Sequence, residues 1–420
     1  LIFYSAKEGM EMAKNFAAIF NGGNDSSALN QSFFLKVETV RGQMAFPVGA
    51  DFLFSLGGGG VNFSQPFESS PHRSGRHNNN IIKQKTTTEW SLPTFINIKQ
   101  GVAYGLAYDS GIKLLWKAML GKEVDSSGYI YDSANDPSVT FSLFENLDHM
   151  AKQAIGCFVN QVEIQLPGDG QAQLSWSGNG KTVVHAGIAK SIVANAANTF
   201  TCTDPALARR FDVGSAVMIV KNDGVTRSAD TPTPRTVTAV DTTTGVVTVS
   251  GAVLADADGT VNPVYLCYWE PTTPAGIDEP QTGLVGSVSI DSLPTLSCVR
   301  GATISLNNNH ELVDYCYGTD GLSGPLFVAG GRLEAMLSLE MNLNAPLVEF
   351  MQRVREFEAH DVQLVCGPAT GRRLQIDLPR VIFSVPSIAV PDTGSIPVSF
   401  EGTALQQSLD SADEITISLL

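Results

Sequence analysis

The chain has 420 residues, of which 43% are hydrophobic and only 16% charged, and its formal net charge is −15. This length and apolar content exclude a disordered segment and leave room for two or three domains with an ample core. The negative balance argues against binding nucleic acid by neutralising phosphates, and no run approaches the eighteen or so apolar residues of a spanning helix. The charge is uneven: residues 279–420 hold 17 acids against 7 bases. Polarity comes mainly from Gly, Ser, Thr, Asn and Gln, a mix suited to β-structure with many turns.

In chain order, residues 5–20 read as a short amphipathic helix, with Met10, Ala13, Phe16, Ala17 and Phe20 at helical spacing and Gly22-Gly23 after them. Strand-like stretches follow around Phe33–Val40 and Asp51–Leu56. Gly57 to Gly60 reads as a flexible turn, because it lacks the Lys-Ser/Thr of a phosphate loop. Ser64 to Asn80, containing SSPHRSGRHNNN, reads as a long exposed loop or arm whose Arg73 and Arg76 can grip an acidic partner or simply keep the loop solvated. Strand chemistry returns over Ile81–Ile98. Ser110–Gly121 is the clearest helix, with Ser110 to cap it, an apolar stripe of Ile112, Leu115, Trp116, Met119 and Leu120, and Gly121 to end it. Phe158–Leu166 alternates, although Val159 and Asn160 blur its start.

Composition shifts near Ser191. Residues 191–278 are rich in Thr, Ala, Asp and Val, and the segments FDVGSAVMIV, TVTAV, DTTTG and VVTVSGA read as short strands with tight turns. We expect a small all-β module here, inserted into a discontinuous larger domain of residues 1–190 and 279–420, with PTTPAG (271–276) as its exit. Gly331–Asn344, GRLEAMLSLEMNLN, alternates almost without a break: Leu333, Ala335, Leu337, Leu339, Met341 and Leu343 on one side, with Glu334 and Glu340 among the polar residues on the other. That period of two predicts a long strand with one dry and one wet face. Ala345–Ala359 reads as a second helix, with Pro346 at its start and Leu347, Met351 and Val354 as its apolar face. DVQLVCG, RRLQIDLPRVIFSV, SIPVSFEGTAL and EITISLL read as further strands. No repeat at a fixed short period is present.

Motifs that carry chemistry are scarce. The six cysteines include no CxxC pair, and the N-terminal LIFYSAKEGMEMAK carries charges where the apolar core of a secretory leader would stand, so buried free thiols are expected. The six histidines hold no HExxH, GLSGP at 321–325 is not a GxSxG elbow, and DADG at 256–259 lacks the later ligands of a calcium loop. Glu334 and Glu340, six residues apart on one strand, stand about 20 Å apart and cannot act as an acid/base pair within one subunit. The residues therefore point to no enzyme, metal or cofactor.

The run HRSGRHNNNIIKQKTTTEWSLPTFINI followed by GIKLLWKAMLGKE, the later IGCFVNQVEIQLPGDGQAQLSWSGNGK, and then ATISLNNNHEL, the Gly331–Asn344 strand and PVSFEGTAL together resemble the tail tube protein of long-tailed (siphophage-like) bacteriophages. The resemblance covers roughly residues 33–185 and 285–420 and rests on the order of the segments. It implies a mainly β fold, a tail-tube β-sandwich or barrel with flanking short helices, plus the inserted module of 191–278, which many members lack. It also implies a structural virion protein without catalytic residues or cofactor. Its subunits form rings, usually hexameric, that stack into a tube and meet other tail proteins (tape measure, terminator, tip). Double-stranded DNA passes through the tube without specific binding. The location implied is the virion tail, with synthesis in the host cytoplasm and no membrane insertion. On that reading Glu163, Glu334, Glu340 and Asp377 are candidate lumen-facing residues, Arg73 and Arg76 belong to a candidate inter-ring arm, and the inserted module projects outward.

Three rivals are open. A β-sandwich carbohydrate-binding or adhesion protein would use Trp90, Trp176 and Trp269 as stacking platforms. An outer-membrane barrel would need aromatic girdles and a secretory leader. The tube of a contractile secretion machine would be built from more compact subunits.

Overall fold

The computed structural model describes residues 14–22, 30–69, 73–74, 77–78, 81–84, 86–96, 110–125, 130–133, 139–196, 198–227, 233–251, 264–272, 286–291, 299–313, 326–328, 331–367, 373–388, 390–408 and 413–419. The fold is mainly β and antiparallel. Its largest element is a run of paired strands in the spatial order Gly60–Ser64, Thr87–Phe95, Gln173–Gly180, Ala151–Pro167, Val299–Asn307, Glu334–Asn342, Pro397–Ala404 and Leu374–Phe383. A smaller sheet lies behind it: Phe52–Leu53, Ser32–Val37, Phe141–Asn146, the first half of Ala151–Pro167, and Thr182–Ala186.

The 17-residue Ala151–Pro167 strand belongs to both sheets. It turns from one to the other at Gly156, whose φ of +67° suits a residue without a side chain. The Gly156 N–H donates to the buried carboxylate of Glu38 at 2.7 Å. A bulge between Val159 and Gln161 explains why the alternation blurs there in the sequence.

Among the described residues, three α-helices flank the sheets. Helix α1 spans Phe16–Gly22, shorter than the expected 5–20; residues 1–13 lie outside the described residues. Asn15 Oδ1 caps it by accepting from the Ala18 N–H at 2.9 Å. Helix α2 spans Ser110–Leu120 and buries the whole expected stripe in the main core. Ser110 donates its hydroxyl to the Ala50 carbonyl, and Gly121 follows the helix at φ +87°. Helix α3 spans Ala345–Arg355, and Asn344 Oδ1 caps it by accepting from the Leu347 N–H at 2.9 Å. Its dry face is Leu347, Phe350 and Val354; Met351 is only partly buried.

Several other expectations need correction. The Gly331–Asn344 strand is trimmed to Glu334–Asn342, because Asn344 is used as a helix cap and a Cβ on Gly331 would lie 2.0 Å from the Asn309 carbonyl oxygen. The four-glycine stretch is an open, exposed turn at Gly57 and Gly58, as expected, but is held at Gly59 and Gly60. Gly60 already opens a strand, and a Cβ on Gly59 would meet Pro93 Cδ at 2.7 Å and the Ser91 carbonyl at 2.8 Å. The polar stretch after Ser64 is a hairpin arm, pairing Phe67–Ser69 with Ile81–Lys83 and Arg73–Ser74 with His77–Asn78. Trp90, Trp176 and Trp269 are 3%, 1% and 4% exposed, so none of them can offer a sugar a stacking surface. Trp176 instead packs edge-on against Trp116 with ring centroids 4.7 Å apart. Cys157, Cys202, Cys267 and Cys366 are buried free thiols, and burial pushes all four above the usual thiol range, Cys202 and Cys366 to about 11. Cys298 and Cys316 lie outside the described residues, as do GLSGP and DADG.

Between Thr182–Ala186 and Ser287–Ile290 the chain forms a closed six-stranded barrel: Ile188–Ala196, Thr199–Cys202, Val246–Val249, Arg235–Asp241, Ala216–Val220 and Tyr265–Tyr268. Its DTTTG turn is fixed by Asp241, which accepts from the Thr243 and Thr244 N–H groups and the Thr244 hydroxyl, and by Gly245 at φ +74°. The barrel does not stand clear of the sheets. Phe34, Phe144 and Ala151 of the smaller sheet share one apolar cluster with its Val217, Leu266 and Tyr268. Gln153 Nε2 donates to the Ala216 carbonyl at 2.8 Å while the Ala216 N–H donates to Gln153 Oε1 at 2.6 Å. Trp269 donates to the Pro47 carbonyl at 3.0 Å.

The eight-stranded run divides into two four-stranded units of the same topology. In each, a first strand pairs with a second, the second with a fourth, and the fourth with a third. The units are Gly60–Ser64, Thr87–Phe95, Ala151–Pro167 and Gln173–Gly180, then Val299–Asn307, Glu334–Asn342, Leu374–Phe383 and Pro397–Ala404. Each unit carries a short hairpin between its first two strands (Phe67–Ser69 with Ile81–Lys83; Glu311–Val313 with Leu326–Val328). In each, an 11-residue helix stands between its second and third strands. The registers coincide: Trp176 stands opposite Leu92 as Phe400 stands opposite Leu339. The units are joined by pairing Gln161–Pro167 to Gly301–Asn307.

Candidate functional site: a carboxylate-bearing sheet face

Period-two alternation gives the long sheet a dry face and a wet face. The dry face is filled by Leu92, Val162, Ile164, Trp176, Ile304, Leu306, Leu337, Leu339 and Phe400, all at most 1% exposed. The wet face is built in rows by the register. Gln161 stands opposite Asn307 and Asn307 opposite Glu334; Glu163 opposite Ser305 and Ser305 opposite Met336; Gln165 opposite Thr303 and Thr303 opposite Ser338. The rows continue as Ser338 opposite Glu401 and Glu340 opposite Ser399. On the other side Glu163 faces Ser175, and Glu89 faces Asn179. Short hydroxyl and amide side chains thus carpet the face, with carboxylates set among them.

Three of the sequence-derived candidates, Glu163, Glu334 and Glu340, come together on this face on two strands, Ala151–Pro167 and Glu334–Asn342, with Val299–Asn307 between them. Glu334 and Glu340 are exposed, and Glu163 is half-buried. Asp377 lies two strands farther on in Leu374–Phe383, half-buried, where Gln363 and Gln375 each donate to its carboxylate at 2.8 Å. Gln165 donates in the same way to Glu163 at 2.8 Å. Arg73 lies in the hairpin arm opposite Asn78, and Arg76 lies outside the described residues.

Sequence reasoning missed Glu89 and Glu401, both exposed on the wet face. Each stands in a strand of clean alternation, TTEWSLPTF and PVSFEGTA, which was the available signal. Across the six strands from Thr87–Phe95 to Pro397–Ala404, taking the long strand from Gln161 onward, the carboxylates are Glu89, Glu163, Glu334, Glu340 and Glu401. The one cation is Arg300, which reaches Glu340 at 3.3 Å with both side chains about half exposed. At the far margin, partial desolvation and then the neighbouring Asp377 and Asp291 carboxylates push the Asp361 carboxyl above its usual range. The face is therefore a broad, hydrated surface of one sign. Among the described residues no group of three or more His, Cys, Asp or Glu is placed to hold a metal ion.

No family model matches the chain, and no curated protein matches it. Among solved structures, a chain from the virion of a native gene transfer agent particle aligns with 33% of this chain and 98% of its own length, at 17% identity and a TM-score of 0.26.

Proposed function

We propose that this chain is a structural virion protein whose copies form the rings of a phage tail tube, with the carboxylate-bearing sheet face lining the channel. The observation that carries the reading is that face: a continuous wet surface with five glutamates against one arginine, backed by a dry core and extended across two units of one chain. Double-stranded DNA carries about one charge per 1.7 Å of its axis, so a basic wall would hold it at every turn. A like-charged wall repels it within a Debye length of about 8 Å and lets it slide.

Ring assembly also accounts for the edge of the long sheet at Gly60–Ser64, which among the described residues pairs on one side only, since an edge closed against a neighbouring copy no longer presents unpaired backbone groups. The hairpin arm with Arg73 and Arg76 is then the contact between stacked rings. The barrel of residues 188–268 lies on the outside, where its bulk does not obstruct the channel. Tape measure, terminator and tip proteins are the expected further partners, in the virion tail.

Negative-stain electron microscopy of the purified chain tests the reading. Hollow tubes or rings of uniform width are the expected result, and stable monomers at high concentration would overturn it.

A further inference from the structure

We infer that successive copies of this chain join edge to edge, by repeating between chains the strand pairing that joins its own two units. The inference rests on the tube reading only for the number of copies.

Inside the chain, the third strand of the first unit pairs through Gln161–Pro167 with the first strand of the second unit, Gly301–Asn307. The corresponding ends of the eight-stranded run are the first strand of the first unit, Gly60–Ser64, and the continuation of Leu374–Phe383 in the second unit. Among the described residues Gly60–Ser64 pairs only with Thr87–Phe95. The other end is fixed by its register. Gln161 stands opposite Ser177, one residue after Trp176, and Ser384 donates its N–H at 2.7 Å to the carbonyl of Glu401, one residue after Phe400. Ser384 therefore occupies the place of Gln161, and Val385 that of Val162. In the first unit this segment is covered by a neighbouring strand. In the second, Ser384 and Val385 are exposed, Val385 by 53%. Extended chain continued from Ser384 turns the backbone groups of Val385 away from Pro397–Ala404 and toward the open side.

The internal junction supplies the register. Gln161 opposite Asn307 and Val162 opposite Leu306 translate into Ser384 of one copy opposite Ser64 of the next, and Val385 opposite Phe63. Part of the receiving edge is already taken within the chain. Val61 donates its N–H to Glu145 Oε2 at 2.8 Å, and Lys152 Nζ donates to the Val61 carbonyl at 2.9 Å. Pairing thus centres on Ser384 opposite Ser64 and Val385 opposite Phe63, and the Lys152–Glu145 ion pair, 3.1 Å long, shields the edge from Val61 back. The contact is head-to-tail, so it closes into a ring when the rotation per chain allows. Where single-unit subunits close a ring of six, a chain of two units closes it as three.

A double cysteine variant, Ser64→Cys with Ser384→Cys, tests this in the full chain, because the two sites lie on opposite edges and both are exposed. After mild oxidation and denaturing, non-reducing electrophoresis, assembled protein should run as covalent trimers, while each single variant stays monomeric. Rings or tubes on the grid with only monomers on the gel would overturn the edge pairing and leave the tube reading standing. Covalent hexamers would overturn the count of three. Crosslinked ladders without rings would retain the pairing and remove the tube; neither rings nor crosslinks would remove both.

Discussion

Gly178 and Gly402 hold equivalent places, two residues after the core aromatics Trp176 and Phe400. A Cβ at Gly178 would stand 2.0 Å from the Phe158 carbonyl oxygen, whereas one at Gly402 would meet side chains, Val381 Cγ1 at 2.6 Å and Phe383 at 2.8 Å. Backbone yields less readily than side chains. Gly402→Ala should therefore cost about 1–3 kcal/mol in urea unfolding, the usual range for an overpacked core, and Gly178→Ala should cost more. Equal costs would show that the Phe158 carbonyl gives way as readily as the Val381 and Phe383 side chains. At this scale the sequence was partly legible. Alternation alone identified the wet positions of Glu163, Glu334 and Glu340. It gave no hint that Asn308, inside the exposed-looking NNNH run, is 4% exposed and donates to the Met119 and Val159 carbonyls. A polar side chain satisfied by distant backbone leaves no local pattern.

The elements divide in the same way. Helices α2 and α3 were visible from stripe, proline and glycine, because those signals act within one turn. The docking of the barrel was not, although FFL at Phe33–Leu35 is a strand buried on both faces and so called for a partner on each side. Gln153 makes that docking specific by bonding both the N–H and the C=O of Ala216. Gln153→Leu should leave the buried Ala216 N–H unpaired, while the Ala216 carbonyl keeps the Trp269 N–H at 3.0 Å, and cost about 1–3 kcal/mol. Hydrogen exchange should then quicken in Ala216–Val220 ahead of the long sheet. A cost below about 1 kcal/mol would assign the docking to Phe34 and Phe144 instead. For the same reason an excision of residues 191–278 cuts through the Ile188–Ala196 strand and uncovers Phe34 and Phe144, so a clean removal has to replace those two apolar side chains as well.

For the whole molecule, the acidic excess of the C-terminal third is now attached to a surface. Glu334→Lys with Glu340→Lys should leave the fold intact, since both side chains are exposed and the half-exposed Arg300–Glu340 pair contributes little. In assembled virions the same pair of changes should slow genome release, and more so at low salt, where charges act over longer distances. Unchanged release kinetics would remove the two glutamates from that role. The two-unit architecture was the least legible feature. The units keep the same strand order and a few shared positions, such as Ser91 with Ser338, Ser175 with Ser399 and Gly178 with Gly402. The lengths between those positions differ, and a barrel intervenes. Residues that fill one pocket with Trp176 in one unit and Phe400 in the other preserve packing without preserving a sequence period.

The strand from Ala151 to Pro167 has a thermodynamic consequence. It supplies hydrogen-bonding partners to the small sheet, the first unit and the second unit, and through Gln153 it holds the barrel. No one of these parts can lose its structure while this strand remains ordered for the others without leaving buried backbone groups unpaired. The parts therefore melt together, and the cooperativity of a 420-residue chain resides in one covalent segment of 17 residues.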